Sequence, residues 1–446
     1  MATRTWTGAA ADIAQTSTVT FALTWAADDK VTVTINGKDW EVTMGTGVVS
    51  AATAATTFKE AWNGETATYA YTVNFDVADA GEFAELTATV SAEVVTLTGV
   101  TEGKPVTLSQ GDIDIGTTAG NGTATLDAEL IAATGKNHWN KADNWSGDTV
   151  PVDDDDIVYE ASSISCLYNI DTGIDPASIT IRQSYTGLIG LRPVNSDNSQ
   201  LSYSEYRDQY LKFTNVAGAN RVLDIGVGEG SGSSRLKIDV NDLAGIVTTV
   251  HNAGRPELTG VPAVLLRGGV ATAKWNVEKG TVGIGYYEGD TSAIQRLNVS
   301  FVDNQVSDST VWIGNDVGVT NATVIEQNGG HITYNTSDTD AISAWTQHAG
   351  EADVIGSGVI GIMTVGGTIN DYMTSTITTL NVRSTGKYDA NRTHEAKTVT
   401  NCNVYGSGSI SDQSQRITWT SGIVFQQTGL GDATLDLGVD FTLTPS

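Results

Sequence analysis

The chain has 446 residues and a formal net charge of −28, with charged residues at 17% and 48 glycines. That balance lacks the Lys and Arg needed to displace phosphate counterions, so nonspecific nucleic-acid binding is excluded, and the low charge density does not suit a surface of solvated helices. Cys166 and Cys402 lie far apart and form no disulfide framework, and no apolar run reaches the ~18 residues of a membrane-spanning helix.

Residues 1–132 read as one small α+β unit. Its first eight residues, Met1 to Gly8, lack the apolar core of a signal peptide, which predicts synthesis in a reduced compartment without export. Val31 to Ile35 alternates with period two, and Asn36-Gly37 is a strong hairpin turn because both residues tolerate positive φ. Asp39 to Thr43 returns. Ser50 is set to cap a helix over 51–62, whose Phe58, Ala61 and Trp62 share a face, and Asn63-Gly64 ends it. Phe83 to Val90 and Val94 to Thr98 read as two further strands, and Thr123 to Ala133 as either a short strand or a helix.

Residues 133–160 form a Trp-rich junction. Trp139 to Pro151 carries two tryptophans, suited to cover the open end of a stack, and Asp153 to Asp156 follows. The aspartate run lacks the glycine and distal glutamate of an EF-hand loop, so a solvated acidic turn is expected there rather than a Ca²⁺ site.

From 161 to 446 short strands recur between Gly, Asn, Asp and Ser turns. Within this region five phrases repeat a strand, a small residue, a glycine and a second strand: Gln327–Ile332, Gln347–Ala352, Thr364–Ile369, Arg383–Tyr388 and Tyr405–Ile410. Their last glycines step by 20, 17, 19 and 22 residues, a loose period that predicts a right-handed parallel β-helix, or solenoid. Arg267 to Val270 and Glu278 to Thr281 echo the phrase, so stacking is expected to begin before residue 270. Tyr203 to Leu211 is read as a short inserted helix, and Ala433 to Val439 with Phe441 to Leu443 as the closing coil or cap. Stacked Asn and Thr ladders and an aliphatic interior would hold such coils together.

Candidate chemistry is sparse. Val222 to Gly230 looks like the first motif of class I S-adenosylmethionine methyltransferases, but that chemistry requires strand, loop and helix, and Leu236 to Val240 alternates like a strand. Glu326, Glu351, Asp353, Asp371 and Asp389 occupy comparable stations one period apart, where glycosidase carboxyls could meet, although no pair stands out. His138, His251, His331, His348 and His394 show no metal-ligand spacing, and His331 and His348 are expected in exposed turns. No catalytic, cofactor-binding or metal-ligating residue is therefore assigned, and no cofactor is expected.

Two resemblances give these elements a context. Val31 to Lys38, Phe58 to Asn63, Glu82 to Thr89, Thr96 to Thr98 and Glu102 to Val106 resemble a small module of phage and prophage structural proteins. Trp139-Asn140-Lys141-Ala142-Asp143-Asn144-Trp145-Ser146-Gly147 with Val150-Pro151 is similar to the phrase that opens β-solenoid regions of bacterial surface and phage proteins. The resemblance implies a mainly β, non-enzymatic virion structural protein: a capsid decoration, head fibre or tail fibre/spike. Its implied partners are other virion proteins and further copies of itself, with residues 1–132 as the particle-docking or oligomerisation module; charge and hydropathy leave no nucleic acid and no membrane among the expected partners. A tailspike-like polysaccharide depolymerase acting on a host surface glycan is the first alternative, and a surface carbohydrate-binding adhesin the second.

Overall fold

The computed structural model describes residues 2–114, 120–195, 201–214, 221–243, 245–270, 272–300, 309–314, 319–335, 341–392, 395–426 and 431–438. The chain is mainly β, and two long parallel sheets dominate it, one of 14 strands and one of 11. From Val222–Val227 to Ile417–Trp419, consecutive described strands alternate between them; Ile423–Gln426 then stays in the 14-stranded sheet, paired with Lys397–Tyr405. Leu236–Asp239 lies in the 11-stranded sheet, Val247–Val250 in the 14-stranded sheet, Val264–Arg267 in the former again, and so on to Ile417–Trp419; Thr434–Asp436 closes the 11-stranded sheet.

The glycine phrases explain the alternation. Each lies between a strand of the larger sheet and the following strand of the smaller one, as Gln347 to Glu351 does between Ile342–Gln347 and Glu351–Val354. Gly350 shows why the turn needs glycine: its φ is +90°, and a Cβ there would lie 2.4 Å from the Gly330 carbonyl of the turn beneath. The echo at Gly280 opens the same kind of turn, before Gly280–Ile284. The echo at Gly268 falls in the opposite one, after Val264–Arg267.

Period-two alternation sends one set of side chains inward. Trp275, Leu297, Ile325, Trp345, Met363, Leu380 and Cys402 are successive register partners in the larger sheet, each 2% exposed or less. Val311, Ile332, Ala352, Ile369, Tyr388 and Ile410 do the same in the smaller sheet. These columns belong to one apolar cluster that runs from Trp6 to Ile417. Outward asparagines form ladders: the Asn298 amide donates to Asn276 at 2.7 Å, and that of Asn403 to Asn381 at 2.9 Å.

The first quarter of the chain builds a second apolar cluster. Asn36 and Gly37 have φ of 53° and 69° and connect the paired strands Lys30–Ile35 and Lys38–Met44. The helix spans Ala51–Trp62; Ser50 accepts from the Thr53 N–H, and Thr53 Oγ1 accepts from the Ser50 N–H at 2.9 Å. Phe58 and Trp62 pack on Trp40, with ring centroids 5.1 Å and 4.9 Å away. Thr123–Ile131 is a strand and pairs antiparallel with Thr16–Ala22.

Two expectations need correction. The first strand, Thr3–Thr5, does not stay with residues 7–132; it pairs parallel with Asp156–Tyr159 as the terminal strand of the 14-stranded sheet. Tyr203 to Leu211 is no helix but contains the short strand Tyr203–Ser204, with Leu211 opening Leu211–Lys212. Its polar groups bond across the chain instead: Tyr203 and Arg207 both reach Glu85, and Arg207 Nε donates to the Pro105 carbonyl at 2.6 Å. Those long-range bonds to a buried carboxylate outweigh one turn of helix. Thr434–Asp436 is the last described strand, and the expected closing residues 439–443 lie outside the described residues.

Candidate functional site

The acid positions separate by strand parity. In Glu351–Val354, Glu351 and Asp353 point outward while Ala352 and Val354 are buried. Next to them Asn370, the register partner of Asp353, sends its amide between the two carboxylates, 2.8 Å from Glu351 Oε1 and 2.8 Å from Asp353 Oδ1. His331 completes the group, with Nε2 3.1 Å from Asp353 Oδ2 and Nδ1 4.0 Å from Glu351 Oε2. The structure thus brings Glu351, Asp353, His331 and Asn370 together on the outer face of the 11-stranded sheet.

The other candidates fall elsewhere. Glu326 lies in the 14-stranded sheet, 3.0 Å from the Arg296 guanidinium and 3.9 Å from His348. Asp389 faces outward and accepts from the Asn391 N–H at 2.9 Å. Asp371 ends Thr368–Asp371 at an inward position and is fully buried, so it shares no face with Glu351.

The remaining motifs serve the fold. The Asp153 to Asp156 run is not merely a solvated turn. Asp155 is 3% exposed and accepts from the N–H groups of Ala2 and Val152 and from Arg4 Nε, tying the first strand to the sheet. Burial would raise the Asp155 pKa, but these bonds hold it below the ordinary carboxylate value. Val222–Val227 leads through a Gly/Ser turn into strand Leu236–Asp239, without the helix a nucleotide-binding turn requires. His138 is buried, between Asn169 at 2.6 Å and the Gly103 carbonyl at 2.7 Å. His251 bridges Asp224 at 3.4 Å and Glu278 at 3.0 Å. His394 lies outside the described residues. Among the described residues no group of three or more His, Cys, Asp or Glu is arranged to hold a metal ion. Cys166 and Cys402 are free thiols, and burial pushes each up to about 12.

A cavity of about 440 Å³ escapes sequence reasoning. Arg192, Arg235, Glu257, Leu258, Val261 and Tyr287 line it. Glu257 accepts from Arg192 at 2.7 Å and from Arg235 at 2.6 Å, while Lys237 lies beneath, over the rings of Tyr210 and Tyr287. The paired aromatics Tyr286-Tyr287 are its one signal in the chain, but the residues that meet there come from four separate segments.

The junction tryptophans converge with a third. Trp145 packs edge-on against Trp6 at 5.1 Å and Trp139 at 4.6 Å, and its indole N–H donates to the Trp139 carbonyl at 2.8 Å. All three are 2% exposed or less and lie at the Thr3–Thr5 end of the large sheet.

Among the described residues, no helix is long and apolar enough to cross a membrane. No protein-family model matches the chain, and comparisons with curated proteins and with solved structures find no match either.

Proposed function

We propose that residues 161–446 wind as a right-handed parallel β-helix and that the chain is a structural protein of a bacteriophage virion: a capsid decoration, head fibre or tail fibre/spike. One observation carries the shaft: from Val222 to Trp419 each successive described strand changes sheet, and the apolar columns stay in register from coil to coil. Each coil buries its inner face only against neighbouring coils, so the product is stiff and durable. At ~4.8 Å per strand, 11 strands extend roughly 50 Å. The first quarter, with its own core, is the part suited to dock on a particle or on other copies of the chain. The viral assignment itself draws on the resemblance of the N-terminal module and the Trp-x5-Trp-Ser-Gly phrase. Immunogold labelling of particles released from a producing host tests it: decoration of heads or tails is expected, and label confined to cell envelopes overturns it.

A specific geometry favours glycan cleavage as a second reading. The Asn370 amide lies 2.8 Å from an oxygen of each of the Glu351 and Asp353 carboxylates, which holds two acids side by side on one face, the kind of pairing a glycosidase requires. Release of reducing ends from host polysaccharide by the wild-type chain, abolished by Glu351→Gln, would establish that reading in place of the passive shaft.

A further inference from the structure

One group of polar, ionisable residues points into the apolar interior. Asp371 ends Thr368–Asp371, Tyr388 lies in Lys387–Asp389, Lys397 opens Lys397–Tyr405, and Asp412 follows Ser409–Ser411. Their exposures are 0%, 1%, 4% and 2%. The Lys397 amine and the Asp371 carboxylate touch, and neither side chain exposes any surface. Asp371 Oδ2, the oxygen facing Lys397, also accepts from the Tyr388 hydroxyl, and Oδ1 accepts from the Met373 N–H at 2.8 Å.

An ion pair in a dry core loses much of its Coulombic gain to desolvation, and one proton transfer turns it into an amine beside a carboxylic acid. Burial pushes Lys397 down to about 7, so the neutral, nucleophilic amine is accessible near neutrality. Asp412 also acts on Lys397 electrostatically, but its oxygens already accept from the N–H groups of Arg416 and Ile417 and from the Ser414 hydroxyl. Asp371 is therefore the carboxyl presented to the amine.

We propose that Lys397 and Asp371 condense into an intramolecular isopeptide cross-link. The Nζ lone pair attacks Cγ of the protonated Asp371 carboxyl, and the charge that develops on Oδ1 is held by the Met373 N–H. The Cγ–Oδ2 bond then breaks. Oδ2 leaves as water, taking one proton through the Tyr388 hydroxyl, which is reprotonated from the nitrogen. One C–N bond forms, one C–O bond breaks and one water is released; no oxidant, cofactor or activated group is needed. The bond joins a strand of the 11-stranded sheet to one of the 14-stranded sheet through the core, across 26 residues of sequence. It fastens the coils near the C-terminal end against separation.

Intact mass spectrometry of the purified full-length chain decides the point. After allowance for removal of Met1, the expected mass is one water below that of the sequence, and tryptic digestion should yield a branched peptide joining Asp371 to an uncleaved Lys397. The full sequence mass, or a lost water without the branched peptide, overturns the proposal. Lys397→Met and Asp371→Ala should restore the full mass. Asp371→Asn should give the same cross-linked product with loss of ammonia. Should the variants fail to fold, the wild-type mass and digest are still decisive.

Discussion

The side-chain amide of Gln347 donates to the side-chain oxygen of Gln327, its register partner on the neighbouring parallel strand, at 3.1 Å. Both glutamines are fully buried at the ends of their strands. Each spends its remaining capacity on the glycine turns. Gln327 Nε2 reaches the Glu351 carbonyl at 2.8 Å, and Gln347 reaches the Thr368 carbonyl and accepts from the Gly367 N–H, both at 3.1 Å.

Replacing Gln347 with leucine should therefore cost more than its volume suggests. The Gln327 oxygen and the Gly367 N–H would both lose a partner in a buried turn, a destabilisation of about 3 kcal/mol. Urea unfolding should show a lower midpoint at unchanged slope. A change under about 0.5 kcal/mol would mean that water reaches these turns.

Trp145→Ala should open the Thr3–Thr5 end of the 14-stranded sheet, at a cost of about 3–5 kcal/mol. Trp6 and Trp139 both rest on this ring, so the first strand should loosen before the body melts. Hydrogen exchange at residues 3–6 should rise well before global unfolding. In a double-mutant cycle, Trp6→Ala and Trp145→Ala should be less than additive.

Acid should release the same strand. The Asp155 pKa is lowered in the folded protein, so its stabilising contribution is complete above the ordinary carboxylate value near 3.9 and fades as pH falls through the lowered one. Exchange protection of Arg4 to Trp6 should thus persist at pH 5 and decline only as the pH falls below the ordinary carboxylate value. Asp155→Asn should weaken that protection at neutral pH and remove most of its acid dependence.

Lys237 should give a slope of the same sign in a higher pH window. Burial pushes it down to about 7, below the unfolded lysine near 10.4, so between those values the unfolded chain binds more protons and stability rises with pH. The rise is at most about 1.4 kcal/mol per pH unit. Denaturant titrations at about pH 7 and 9.5 should show wild type gaining relative to Lys237→Met, since neighbouring tyrosines titrate in both. Equal gains would place the Lys237 amine in water.

Much of the local structure could be read from the chain. Asn36-Gly37, the Ser50 cap and the helix over 51–62 depend on neighbours within a few residues, where propensity and short hydrogen bonds decide. The glycine phrases at Gly330, Gly350 and Gly367 were legible for the same reason: a tight turn beneath another backbone leaves no room for a Cβ, as Gly350 shows. The candidate site was only half legible. Glu351 and Asp353 were among the acids singled out, but Asn370, which joins them, carries no signal of its own in the sequence.

Composition, turn chemistry and the spacing of glycines are properties of consecutive residues, and they determined by themselves that this chain would be mainly β and repetitive. Register decided the rest. A shift of one residue sends a side chain to the other face, so Asp353 meets solvent while Asp371 meets Lys397 in the core, although the two look alike in the sequence. Thr3–Thr5 beside Asp156–Tyr159, and Tyr203 and Arg207 on Glu85, are pairings across more than a hundred residues. No local preference encodes them, because the free energy that selects them comes from surfaces that exist only after the chain has folded.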